Sequence, residues 1–306
     1  MAAVDRRAGP ALVVGAVARN TVPPPATVLP GVDFTLKRLL RLAIILFGAT
    51  LSFAQVIEIG AGSLAVILVT IILALGLTRL FGRWMRAPAG LVSLIGVGTA
   101  IFGATAIITV GPIIESREEE IAFAVTTIFL FNMLAVVVYP LLGHLLTFSD
   151  SVYGVWAGTA IHDTSSVLAA SFAFSEPAGQ VATVVKLTRT LALVPLALAY
   201  GLAHSYLRSD SPAGGRRVSL GKIFPWFVLW FVLAAVLNTA GLFGAAAVRG
   251  ASLSGRFLVV MVMAAVGLSA DFRRMREIGL KPFYVGLAAS IMIAVISIAL
   301  IRLLMR

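Results

Sequence analysis

The sequence predicts an all-α polytopic membrane protein, and three observations lead to that prediction. Of the 306 residues, 60% are hydrophobic and only 12% are charged, whereas soluble domains average about 45–50% apolar and about 25% charged residues. The mean hydropathy is +1.03. Apolar segments of about 20 residues, the length that spans a bilayer, recur along the whole chain. No single buried core explains this composition, so the bilayer is the expected solvent.

Successive apolar segments divide the chain, and most of them reach the spanning length. They lie at about 8–20, 37–57, 61–82, 88–114, 119–146, 151–175, 178–207, 222–247, 254–271 and 280–303. We therefore expect about 8–10 transmembrane segments in a single domain over residues 1–306. The first segment is short, and we expect a truncated or half-length helix there. The polar stretch at about 208–222 is interpreted as a cytoplasmic loop.

The net charge of +11 lies in short loops between the apolar segments rather than along one helix or tail. This is the positive-inside pattern of a bacterial inner-membrane protein, and no basic stripe supports nucleic-acid binding. The helix pair at 37–82 is expected to turn near Gly60 and Gly62. Basic clusters at its two ends are both assigned to the cytoplasm: Lys37, Arg38 and Arg41, and Arg79, Arg83 and Arg86. Cysteine is absent, which excludes disulfides and thiolate metal sites; no cofactor is expected.

Two internal matches predict a repeat. The segment GTAIFGA at 98–104 resembles GTAIHDT at 158–164, and the register continues into the following helix. Separately, Gly48 with Leu51 and Ser52 resembles residues 267–269. The offsets of about 60 and about 219 do not fit a tandem repeat, but they fit a circularly permuted one. We expect a first repeat at about 8–146 and a second at about 151–306.

The orientation of the matched helices bears on the two Gly-Thr-Ala segments. If both segments crossed the membrane they would run parallel, whereas the helix at 37–57 and its match at 254–271 run in opposite directions. Two re-entrant hairpins that enter from opposite faces remove this conflict, and broken spanning helices are the alternative. In either arrangement the interrupted, Gly-rich tips lie near the midplane, which is the best sequence indication of a transporter binding site.

His162 and Asp163 lie in the second tip, where an ionisable residue suggests a function. Either side chain could couple transport to a proton or another ion. The alternative is structural, because Asp163 could simply cap the helix that follows.

Lys186 and Arg189 stand three residues apart in the middle of an apolar helix, and so share one face. A charge at this depth is costly unless it is paired. Arginine can hold an oxyanion through two parallel hydrogen bonds, and lysine adds a point charge. The predicted partner is therefore a small oxyanion, whereas a purely structural ion-pair network is the alternative. The predicted substrate-binding set is Thr99, Gly103, Ala104, Thr159, His162, Asp163, Thr164, Ser165, Lys186 and Arg189.

These motifs resemble the sulfate exporter family, also called the YeiH or UPF0324 family. The resemblance is carried by GTAIFGATA at 98–106, WAGTAIHDT at 156–164, VKLTR at 185–189, PWF at 225–227 and AAVGL at 264–268. It runs from about residue 10 to the end, and it implies a secondary transporter with inverted repeats and elevator-type movement, related to the cation:proton antiporter and anion transporter superfamily. The chain departs from the family in a shorter N-terminus and in Phe102, where relatives often have cysteine.

The sequence thus predicts a secondary active transporter of sulfate or a small sulfonate, embedded in the bacterial inner membrane. A homodimer is expected by analogy only. An anion channel is the first alternative. An intramembrane enzyme built on His162, Asp163 and Ser165 or Ser166 is the second, and it is disfavoured because no nucleophile elbow is present.

Overall fold

The computed structural model describes residues 5–22, 25, 27–207, 224–269 and 280–304, and the regular elements in these ranges are helices. The predicted loop at 208–222 lies outside the described residues. The all-α prediction is confirmed by the described chain.

Most helices coincide with the predicted apolar segments, but the two that begin at Phe53 and Ala245 start about eight or nine residues earlier than predicted. They are α1 (Asp5–Thr21), α2 (Leu29–Phe34), α3 (Leu40–Gly48), α4 (Phe53–Trp84), α5 (Ala89–Val97), α6 (Ala104–Val110), α7 (Glu118–Leu145), α8 (Asp150–Ala160), α9 (Thr164–Phe174), α10 (Glu176–Leu191), α11 (Leu193–Leu207), α12 (Trp226–Thr239), α13 (Ala245–Leu268) and α14 (Leu280–Leu304). A π-helical turn at Thr35–Leu39 joins α2 to α3, and another at Gly98–Phe102 extends α5.

Several helices are long and apolar enough to cross a bilayer unaided. In the described chain these are five: α4, α7, α10 continued by α11, α13, and α14. The shorter α5 with its π-helical turn, α9 and α12 are also apolar. This agrees with a multi-pass membrane protein.

The predicted turn near Gly60 and Gly62 is wrong, because both glycines lie inside the continuous helix α4. The chain turns ten residues earlier, at 49–52. There the Ser52 hydroxyl accepts the Gln55 amide, and the Gln55 side chain accepts the Ser52 amide. This reciprocal capping box fixes the start of the helix, and it outweighs the glycines, which are tolerated inside a helix that neighbours stabilise.

Helices α8 and α9 form a re-entrant hairpin. Two glycines of α8, four residues apart, contact two valines of α10 that are also four residues apart and follow in the same order. A Cβ on Gly154 would lie 2.7 Å from Val181, and one on Gly158 would lie 2.8 Å from Val185. Thus α8 runs parallel to α10, whereas α9 immediately precedes α10 and folds back on it. Tyr153, near the start of α8, stacks on Phe174 at the end of α9 with 3.9 Å between ring centroids. Both ends of the segment therefore lie on one face.

Helices α5 and α6 form the other hairpin. A Cβ on Gly98, at its inner end, would lie 2.7 Å from Ile107 of α6. Gly90, at its outer end, lies against Glu120, where a Cβ would be 2.6 Å from the carboxylate. Because Glu120 is in the first turn of α7, which follows α6, both outer ends are again on one face. The structure thus favours hairpins over broken spanning helices.

The two hairpins enter the membrane from opposite faces. Helix α7 joins the outer end of the first hairpin to that of the second, and its 28 residues span roughly 42 Å at about 1.5 Å per residue.

Contacts give the directions of the other matched helices. Gly286 lies against Thr127, and Ile298 lines the same cavity as Leu142, so α14 runs parallel to α7 and opposite to α4. The first half of α13 contacts the end of α3, where Gly255 meets Phe47, and the start of α10, where Arg256 pairs with Glu176, so α3 and α13 also run in opposite directions. This is the geometry that an inverted, permuted repeat requires, while the repeat boundaries stay a prediction.

The helices pack as two groups, which we call the hairpin bundle (α4–α11 and α14) and the flanking bundle (α1–α3, α12 and α13). The contact between them is mostly apolar and includes the stacked rings of Phe47 and Phe172, with centroids 4.7 Å apart. An ion pair between Arg256 of α13 and Glu176 of α10 also joins the two bundles.

Candidate functional site

The tips of the two hairpins touch each other. Gly103 ends the first tip with φ 62° and ψ −136°, a conformation that is nearly restricted to glycine and costs another residue on the order of 1–3 kcal/mol. A Cβ on Gly103 would lie 3.2 Å from the Asp163 Cβ and 3.3 Å from its Cα. Glycine is therefore required here both for the backbone turn and for the close approach of the second tip.

Lys186 of α10 lies behind this junction and is fully buried. Its ammonium donates hydrogen bonds to the carbonyl oxygens of Ile101, at 3.2 Å, and Ile161, at 2.9 Å, and also to that of His162. One lysine thus ties the backbone of the first tip to that of the second.

Arg189, one turn further along α10, makes the same kind of connection and is also fully buried. Its Nε donates to the Ala100 carbonyl at 2.7 Å, and an Nη donates to that of Thr99 at 2.8 Å. The other Nη donates to the Thr159 carbonyl. Three of the five N–H groups of the guanidinium are used in this way, which leaves two.

These carbonyls belong to the inward-pointing C-terminal ends of α5, with its π-helical turn, and of α8. The last carbonyls of a helix lack intrahelical partners and carry partial negative charge. At membrane depth each unsatisfied backbone group costs several kcal/mol. Lys186 and Arg189 therefore satisfy and neutralise two half-helix ends that would otherwise be unstable at the midplane.

Asp163 caps the second half of its hairpin. Its carboxylate accepts the amides of Ser165, at 2.9 Å, and Ser166, at 3.4 Å, as well as the Ser165 hydroxyl. The structural alternative for Asp163 is thus realised in its geometry. Asp163 and Ser165 are nevertheless half-buried rather than sealed, so the carboxylate keeps access to the space around the tips.

Asn132 of α7 holds the backbone of the second tip. Its side-chain carbonyl accepts the amides of His162, at 3.1 Å, and Asp163, at 3.2 Å. Nothing in the sequence around Asn132 indicated that its side chain would hold the tip.

His162 is buried and directed toward α14. Its Nε2 lies 2.9 Å from the Ser290 hydroxyl. Its Nδ1 is buried and makes no hydrogen bond within the described chain, although the Thr99 backbone lies close by. Nothing in the sequence around Ser290 indicated that it would face the tip, because an isolated serine in an apolar helix is unremarkable.

The structure gathers the ten predicted site residues around one junction. Their hydroxyls differ in use. That of Thr159 donates back to carbonyls of its own helix, whereas those of Thr99 and Thr164 are buried without a partner in the described chain. At the start of α6, Ala104 is half-buried and the next residue, Thr105, is exposed.

Comparisons with known proteins point to one family. A family model described as "Conserved hypothetical protein 698" matches residues 8–286. A UPF0324 membrane protein of Clostridium tetani is 36% identical over 297 residues, covering 94% of this chain and 86% of the relative. Similar proteins of Fusobacterium nucleatum and of Streptococcus pyogenes serotype M18 are 35% and 37% identical, covering 90% and 88% of this chain and 84% and 81% of theirs. No solved structure matches the chain.

Proposed function

We propose that this chain, which belongs to the UPF0324 family of membrane proteins, is a secondary transporter of a small oxyanion of the sulfate or organic sulfonate class in the bacterial inner membrane. One observation carries the proposal: two re-entrant tips meet at membrane depth beside two fully buried cations. Interrupted helices at the midplane are the usual setting of a transported solute.

The charges at the junction support an anionic solute. Lys186 and Arg189 contribute two positive charges, and Asp163 contributes one negative charge when ionised. The C-terminal ends of α5 and α8 are already neutralised by hydrogen bonds from the two cations. One formal positive charge therefore remains near the tips, and the first amides of α6, which no side chain caps, add to it.

In this proposal the cations act on the anion in two ways. They hold both tips in place through the backbone, and they supply the field that offsets dehydration of the anion. Asp163 is the group proposed to take up a proton or another coupling ion, because its carboxylate is half-buried beside the same space.

We further propose that transport is of the elevator type. The hairpin bundle would move as a unit against the flanking bundle, and so expose the tips first to one side and then to the other. The apolar contact between the bundles supports this motion, because few directional bonds would have to be broken. The Arg256–Glu176 pair is one that would. A homodimer through the flanking bundle stays a prediction by analogy.

The experiment is uptake of radiolabelled sulfate and of a short sulfonate into proteoliposomes, with and without a pH gradient. A carrier predicts saturable uptake that is accelerated by the same anion inside the vesicle. Large unitary currents without this acceleration would instead indicate an anion channel. Absence of transport and of binding for every anion tested would overturn the proposal.

A further inference from the structure

A cavity of about 360 Å³ lies between α7, α8 and α14, and it is open to the outside where Leu134, Ile291 and Val295 are exposed. It follows α7 from Asn132 to Leu146, a length of roughly 21 Å at about 1.5 Å per residue. Its inner end lies at the second tip, and its other end lies near the membrane face at which α7 ends. We call it the side cavity.

The side cavity is polar at its inner end and apolar along the rest of its length. Asn132, His162 and Ser290 line the inner end, and aliphatic and aromatic side chains line the remainder, including the stacked pair Tyr139 and Trp156. An elongated cavity of this kind fits a molecule with one polar end and an apolar chain.

The polar end is built to donate hydrogen bonds. The Asn132 side-chain oxygen is occupied by the two tip amides, so its amide nitrogen offers two N–H groups, for which the described chain provides no acceptor. The Ser290 hydroxyl lies beside the ring of His162. Lys186 lies directly behind, bonded to the His162 carbonyl, and no aspartate or glutamate lines the cavity in the described chain. These features suit an anionic head group.

We propose that the side cavity binds an organic anion, with its head at Asn132, His162 and Ser290 and its alkyl chain along α7 and α14. This inference rests on the proposed function and narrows its substrate class from any small oxyanion to organic anions that carry an apolar chain. A membrane lipid fits poorly, because its head stays at the interface. Its apolar chain end would then desolvate the polar inner end without forming hydrogen bonds.

The test compares binding of butane-, hexane- and octanesulfonate, and of the matching alcohols, to the purified protein in nanodiscs. Each added methylene should tighten sulfonate binding about threefold to fourfold. Ala135→Phe fills the side cavity and should abolish this dependence. Ala61→Phe makes the same change in a separate apolar cavity lined by Val184 and Phe231, and it should leave the dependence intact.

Two further variants keep the outcome decisive. Val138→Trp plugs the same cavity from a partly exposed position, in case Ala135→Phe does not fold. Ser290→Ala should weaken sulfonate binding severalfold at every chain length and leave the alcohols unaffected. Equal binding of alcohols and sulfonates, or the same chain-length dependence in the filled variants, would overturn the inference and leave a lipid chain or simple partitioning as the explanation.

Inorganic sulfate separates this inference from the proposed function. If sulfate binds to wild type and to Ala135→Phe alike, but chain length has the same effect in both, only the organic-anion inference fails. If neither sulfate nor any sulfonate binds to wild type, the proposed function fails as well.

Discussion

The two hairpin tips occupy equivalent positions in the fold, yet the residues that end each tip and cap the following helix differ. Both present their last carbonyls to Lys186 and Arg189. The first tip then ends in Gly103, and α6 starts without a side-chain cap. The second tip ends in His162 and Asp163, and α9 starts under the Asp163 carboxylate. The contacts of Lys186 and Arg189 with the carbonyls of both tips therefore form a shared structural frame. The side chains that can titrate or select a solute belong to the second tip.

Removing the charge that both tips share should have the largest effect. Lys186→Met would leave the carbonyls of Ile101, Ile161 and His162 without their donor, and we expect the free energy of unfolding to fall by at least about 3 kcal/mol. Thermal unfolding in detergent measures this change. Lys37→Met removes an exposed lysine and should be nearly neutral; equal effects in the two variants would contradict the shared-frame interpretation.

Disturbing the first tip alone should have the next largest effect. Gly103→Ala adds backbone strain at a positive φ, on the order of 1–3 kcal/mol, and also presses a methyl group against Asp163. Gly241→Ala is the matched control, because Gly241 has a similar φ of 72° and open space around it. We expect greater destabilisation and at least tenfold slower uptake for Gly103→Ala, and near-normal uptake for Gly241→Ala. Identical behaviour would mean that contact between the tips is unimportant.

Loosening the second tip alone should cost less. Asn132→Leu removes the acceptor of two buried amides, and we expect a loss of about 1–3 kcal/mol in the free energy of unfolding, together with a raised KM for uptake. Asn238→Leu, which removes a bond from α12 to the Leu51 carbonyl in the turn between α3 and α4, should lower stability but leave KM unchanged. A similar KM in both variants would mean that Asn132 does not contribute to solute binding.

The smallest effect on stability, and the sharpest on coupling, is expected from Asp163→Asn. Asparagine caps helices about as well as aspartate, so the free energy of unfolding should change by less than about 1 kcal/mol. The variant cannot exchange a proton, so a pH gradient should no longer accelerate uptake. Asp150→Asn at the outer end of α8 serves as the control. Retained acceleration in Asp163→Asn would exclude this carboxylate from coupling.

Much of this arrangement was predictable from the sequence. Apolar length predicted the helices, and the match of 98–104 with 158–164 predicted two equivalent tips. The mid-helix positions of Lys186 and Arg189 predicted that a polar or anionic partner would lie beside these side chains. The sequence could not show that backbone carbonyls would be the hydrogen-bond partners of these two side chains. Every residue has the same backbone carbonyl, so no sequence pattern marks the ones that take part.

Other features escaped prediction for similar reasons. The turn at Ser52 depends on a side-chain cap that competes with two conspicuous glycines. The approach of Ser290 to His162 depends on how α14 packs, which hydropathy does not encode. The positive φ of Gly103 is one conformation among several that any glycine can adopt.

The measurement that tests the central claim most directly is calorimetric binding of sulfate and a short sulfonate to purified wild-type protein and to Arg189→Gln. Arg249→Gln, at an exposed position of α13, is the control for the change in net charge, and thermal unfolding checks that each variant is folded. We predict that binding survives in wild type and in Arg249→Gln, and is lost in folded Arg189→Gln. Equal binding in all three would contradict an anion site at the tips and would make Arg189 a structural clamp alone.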